Sequence, residues 1–150
     1  MRIATEAPDR PDVASLIDAL DAYQKPLYPP ESHHGIDVVA LSQRNVVFAV
    51  VRDDDGVAVG CGAVVIQAGC GEVKRMYVLP SHRGKGVAPA LLFFLERQAV
   101  ARGCTRLMLE TGVRQPEALA FYRREGFVER APFGDYRHDP LSVFMEKAIG

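Results

Sequence analysis

With 150 residues the chain has the length of one ordinary domain, which buries about 68–70% of its unfolded surface and so builds a full core unaided. Apolar residues make up 48% and charged residues 25%, a globular balance that excludes a disordered or fibrous protein. A formal net charge of −1 excludes a broad electrostatic grip on nucleic acid or anionic lipid, so any anion binding has to be local.

Met1 to Pro8 carries neither the basic start nor the apolar run of a signal peptide, and no window approaches the ~18 apolar residues of a membrane span. The expectation is a cytoplasmic protein with no membrane and no nucleic-acid partner. Cys61, Cys70 and Cys104 form no CxxC pair and lie near no histidine at metal spacing, so they read as free thiols and no metal is expected.

In chain order, residues 2–6 (RIATE) suit a short first strand. Asp9 then offers an N-cap and Pro11 a first turn. Val13, Leu16, Ile17 and Leu20 follow at the spacing of a buried helical stripe that ends before Pro26. Residues 26–35 (PLYPPESHHG) read as irregular, because Pro26, Pro29 and Pro30 remove donors and extend the residues before them. A short second helix is expected within 36–44. The β-branched runs 46–51 and 57–66 flank Asp55-Gly56, a hairpin signal, and 71–79 supplies a third antiparallel strand. Past a glycine-rich loop, Val87, Leu91, Leu95 and Ala99 share one helical face and Gly103 suits its C-terminal cap. A strand over 105–111, a helix over 116–125 stopped by Gly126, and strands over 127–131 and 142–149 complete an α+β order.

The loop SHRGKGVAPALL, from Ser81, has the look of a phosphate site but fits neither nucleotide motif. Lys85 is followed by Gly86 rather than by a hydroxyl, and Pro89 stands where the dinucleotide fingerprint needs a third small residue. A helix start still presents unpaired N–H groups and the positive end of its dipole to an anion. Gly84 and Gly86 let the backbone approach closely, and Arg83 and Lys85 add charge. The plain alternative is a surface turn whose glycines only permit the bend.

Here the sequence resembles a known family. VLPSHRGKGVAPALL is similar to motif A of the GCN-related N-acetyltransferases, R/Q-x-x-G-x-G/A, met by Arg83, Gly86 and Ala88. EALAFYRREGF resembles the family's A-x-x-x-Y-x-x-x-GF segment through Ala118, Tyr122, Gly126 and Phe127. The resemblance implies one N-acetyltransferase domain over 1–150, with a mixed, mostly antiparallel central sheet flanked by helices. It also implies a splayed strand pair that binds acyl-CoA, with acetyl-CoA as acyl donor. Main-chain groups of Met76, Tyr77 and Val78 would hold the pantetheine and acetyl carbonyl, and residues Arg83, Gly84, Lys85, Gly86, Val87 and Ala88 the pyrophosphate.

By the same resemblance Tyr122 is the general acid. Its ordinary pKa of about 10 keeps it protonated at neutral pH. The plain reading is that it packs with Phe121 and Phe127. Gln115 stands where many relatives carry Asn, seven residues before this tyrosine, and would be a longer pantetheine contact. Glu72 resembles the strand-borne glutamate base of histone-acetylating relatives; its alternatives are an ion pair with Lys74 or Arg75, or Glu110 as base.

The segments YPPESHHG and PFGDYRHDPLSVFM, with GCGA, GEVKRM and LETG, resemble a small-molecule subfamily labelled indole-3-acetate acetyltransferase-like. Glu31, His33, His34, Arg75, Glu110, Asp135 and Tyr136 are the candidate acceptor residues. Carboxylates suit an ammonium and Arg75 a carboxylate, together an amino-acid-like amine, while a histidine is an alternative base. Against these roles, loop charges are commonly solvated and Asp135-Tyr136 also suits a simple turn. The expected reaction is direct acetyl transfer to a small amine. The rivals are acetylation of a protein N-terminus or lysine, and a silent acyl-CoA sensor. A homodimer through the late strands is a further expectation from the family.

Overall fold

The computed structural model describes residues 1–150. Strands β1 (Arg2–Thr5), β2 (Val46–Arg52), β3 (Ala58–Gln67), β4 (Cys70–Val78), β5 (Arg106–Gly112), β6 (Val128–Arg130) and β7 (Ser142–Ala148) form one sheet in the order β1-β2-β3-β4-β5-β7-β6. Every pairing is antiparallel except β4 with β5. Helices α1 (Pro11–Gln24), α2 (Val38–Leu41), α3 (Val87–Ala101) and α4 (Pro116–Arg124) cover it.

The β-branched run of β2 is apolar at every position because both of its faces are covered. Val47, Ala49 and Val51 join α3 residues Leu91, Leu95 and Ala99, while Phe48 and Val50 join Val13, Leu16 and Ile17 of α1. Alternation along a strand therefore feeds two cores rather than one core and solvent. Each leucine so buried contributes about 1.5–3 kcal/mol relative to exposure.

Three details differ from the sequence reading. Asp9 does not cap α1: Arg10 holds the cap position without a side-chain bond, and its carbonyl accepts from Val13 and Ala14 N–H. The proline-rich stretch is not wholly irregular either. It contains one-turn 3-10 helices at Lys25–Leu27 and Pro30–Ser32, each with a proline, Pro26 or Pro30, within its first two positions, where the N–H needs no partner. The expected second helix shrinks to one turn, capped by Asp37 Oδ1 accepting from Ala40 N–H at 2.8 Å.

The site is made by a failure of pairing. β4 and β5 run parallel only through Cys70↔Arg106, Gly71↔Leu107 and Glu72↔Met108. Beyond Glu72 the strands part, leaving the β5-facing edge of β4 without a strand partner up to Val78. A bulge opposite Gly62 puts Arg75 at φ 58° and adds local twist at the point of divergence.

Candidate active site

The parted strands open two cavities on either side of a shared wall. One, of about 220 Å³, runs from Arg83 and Ala88 along Met76, Tyr77 and Val78. The other, of about 510 Å³, lies between α1, the 25–38 segment and the parted strands. Both are lined by Leu20, Gln24, Met76, Gln115, Ala118 and Tyr122, so they meet at the mouth of the strand gap.

The smaller cavity leads to the basic loop. Gly84 and Gly86 take φ of +74° and +80°, and a Cβ on either would point into open space. Gly86 is the cap residue of α3 and provides no side chain to occupy the helix's free N–H groups. Arg83 donates from Nε to the Val78 carbonyl at 3.0 Å and stacks over the Tyr77 ring. A phosphate-bearing ligand fits here: the helix start is open, two cationic side chains flank it, and the groove continues along an unpaired strand edge.

Tyr122 stands at the meeting point. It packs edge-on to Phe127 at 5.5 Å and against Phe121, so the packing and lining roles coexist. Its hydroxyl makes no hydrogen bond within the protein, and burial pushes its pKa above the ordinary tyrosine range.

The carboxylates divide sharply. Glu72 Oε2 accepts from the Tyr136 hydroxyl at 2.5 Å and pairs with Lys74 Nζ at 3.3 Å. Lys74 also donates to Tyr136 Oη and to the His34 carbonyl, joining β4 to two loops. Glu110 accepts one bond from Ser142 Oγ and has no cation in contact; burial pushes it up to about 7, outweighing that bond and the more distant Lys74.

The other expected acceptor residues scatter. His33, His34, Arg75 and Glu110 line the larger cavity, as does Glu72. Arg75 is engaged, with Nε donating to the Ile36 carbonyl and Nη1 paired with Asp21. His33 Nε2 lies 2.9 Å from the Tyr28 carbonyl. The buried His34 Nε2 faces Asp139 Oδ2 at 3.8 Å. Glu31 and Asp135 are exposed and line neither cavity, and Tyr136 sits behind Glu72 rather than on the wall. Residues given no acceptor role from the sequence also line the larger cavity, among them Tyr28, Lys74, Thr111 and Gly112. Tyr28 and Gly112 lay within the segments PLYPPESHHG and LETG, but only their meeting in space marks them.

Comparison with known proteins agrees with this geometry. The model of the Acetyltransferase (GNAT) family matches residues 16–127. A protein named IAA acetyltransferase from Azospirillum brasilense is 47% identical over 149 residues, covering 98% of this chain and 97% of its own. A Klebsiella pneumoniae structure described as an acyl-CoA N-acyltransferase superposes with a TM-score of 0.85 at 41% identity, over 99% of this chain and 97% of the other. The PaiA N-acetyltransferase of Thermoplasma acidophilum, solved with coenzyme A, shares the fold at 18% identity and a TM-score of 0.73, over 99% of each chain.

Proposed function

Because the chain belongs to the acetyltransferase (GNAT) family, we propose that it is an acetyl-CoA-dependent N-acetyltransferase carrying acetyl directly to the amine of a small-molecule acceptor. The observation that carries the reading is the junction of the two cavities at Met76, Gln115, Ala118 and Tyr122. A narrow groove running from a phosphate-suited helix start suits the acyl-CoA arm, and the wider polar cavity suits the second substrate.

The thioester supplies the activated acetyl group. Glu110 takes the proton from the acceptor's ammonium; its value of about 7 suits a base working at neutral pH. Glu110 is preferred to Glu72 because the Glu72 carboxylate is committed to Tyr136 and Lys74. The unpaired β4 edge beside Met76 offers fixed main-chain donors where negative charge develops on the carbonyl oxygen. Tyr122, held protonated by burial and free of internal bonds, delivers a proton to the departing sulfur as the C–S bond breaks, and the second proton that the nitrogen sheds in becoming an amide restores the hydroxyl. No cysteine need intervene: Cys61 is buried in the α1 core, where burial pushes its thiol up to about 12.

A small acceptor is favoured over a peptide because the 25–37 segment is fastened across the larger cavity. Lys74 holds the His34 carbonyl, Arg75 holds that of Ile36, and Ser32 Oγ donates to Asp139 Oδ2 at 2.7 Å. The test is calorimetric titration with acetyl-CoA of the wild type and of Gly86→Glu, which sets a carboxylate at the open helix start, followed by thiol-release assays on a panel of amines. One-site binding lost in the variant supports the reading. A folded wild type that does not bind acetyl-CoA sinks it.

A further inference from the structure

We propose that Tyr28 is a positioning residue that fixes the Gln115 side-chain amide with its NH2 group turned toward the junction of the two cavities, where it donates to the acyl-CoA arm. The proposal rests on the acyl-CoA reading above.

The backbone N–H of Arg114 points at Tyr28 Oη at 3.1 Å and can only donate. The hydroxyl therefore accepts that bond and has one proton of its own to place. Gln115 Oε1, at 3.2 Å, takes it. The reversed amide would aim a second donor at the same oxygen and leave the tyrosine proton without an acceptor in the protein, a costly arrangement where the half-buried Tyr28 meets the buried Gln115. Once Oε1 is held by Tyr28, the amide NH2 is left toward the lining shared by both cavities.

The hydroxyl is itself placed with little freedom. Arg114 Nη1 donates to the Leu27 carbonyl and its guanidinium stacks on the Tyr28 ring. Pro29 and Pro30 follow directly and stiffen the chain. Gly112 makes the room: a Cβ there would lie 1.8 Å from the Tyr28 hydroxyl oxygen. A residue of the segment covering the acceptor cavity thus sets the orientation of an amide that also faces the acyl-CoA groove, although the two are 87 positions apart.

The experiment is a double-mutant cycle of Tyr28→Phe and Gln115→Ala, read as the Kd for acetyl-CoA by calorimetry. Thermal melts verify folding, and Gln115 side-chain amide NMR signals are identified by their loss in Q115A. Tyr28→Phe is expected to weaken binding by about five- to tenfold in the wild-type background and by less than about twofold in the Q115A background. The Gln115 amide signals should shift on acetyl-CoA addition in the wild type and shift less in Y28F. If the wild type binds and Y28F binds equally well, or if its loss persists undiminished in Q115A, Tyr28 does not act through Gln115 and this proposal alone fails. A wild type that does not bind overturns the acyl-CoA reading and this proposal with it.

Discussion

Ser142 Oγ donates to Glu110 Oε2 at 2.8 Å, although the strand register sets Glu110 opposite Phe144 and Ser142 opposite Gly112. This diagonal bond is the only one the carboxylate receives, and burial outweighs it, raising Glu110 from the usual 4.5 to about 7. A carboxyl raised in the folded state holds a proton that the unfolded chain has released. Stability therefore falls as pH rises from about 4.5 to about 7, and above that the whole cost of the buried charge is present. Glu110→Gln is expected to melt close to the wild type at pH 5 and above it at pH 8. In the acetyl-transfer assay the same variant should lose about 10²–10⁴ in kcat, together with the acid limb near pH 7. An unchanged acid limb would remove Glu110 from the reaction.

Glu72 is expected to matter to stability more than to turnover. Its carboxylate joins Tyr136 and Lys74, so Glu72→Gln loosens the tie between β4 and the loop after β6. Denaturant unfolding should show a loss of about 1–3 kcal/mol, the usual cost of leaving buried polar partners unsatisfied. Its kcat should fall less than about tenfold, well short of the loss in Glu110→Gln. An inactive E72Q beside an active E110Q would reverse the base assignment.

What the sequence disclosed follows from the range of the interactions involved. The α3 stripe, the Asp55-Gly56 hairpin and the glycine pair at 84 and 86 are local patterns, and all three are found where periodicity and turn chemistry set them. Asp9 lost the cap to Arg10, because Pro11 holds the residue before it extended and so makes Arg10 the last non-helical position. The division between Glu72 and Glu110 could not be read in advance: it depends on Tyr136, 64 positions from Glu72, and on a bond from Ser142, 32 positions from Glu110. Arg75 likewise looked free for a substrate carboxylate until the fold brought Asp21 and the Ile36 carbonyl to it.

Tyr122 permits a clean separation of chemistry from stability. Its ring packs in the core while its hydroxyl has no partner within the protein. Tyr122→Phe should therefore melt close to the wild-type temperature, since the ring packing is kept and the hydroxyl, which faces the cavities, holds no partner in the protein. If the hydroxyl protonates the leaving sulfur, kcat should drop by about 10²-fold or more while the Kd for acetyl-CoA changes little. Unimpaired turnover in Y122F would reduce the residue to packing.

At Gly112 the Tyr28 side chain of the 25–37 segment lies directly against the sheet. A Cβ there would come within 1.8 Å of the Tyr28 hydroxyl oxygen and 2.2 Å of the ring carbon bearing it, and Tyr28 is pinned by Arg114 and two following prolines. Gly112→Ala should therefore destabilise by about 1–3 kcal/mol, the usual cost of forcing extra volume into packed surroundings. The origin of that loss can be isolated, because Tyr28→Ala removes the atoms that collide. In the Tyr28→Ala background the added methyl group should cost less than about 0.5 kcal/mol, a strong departure from additivity measurable by urea unfolding. Equal costs in both backgrounds would mean that the glycine is required by the strand backbone itself and that the segment is free to yield.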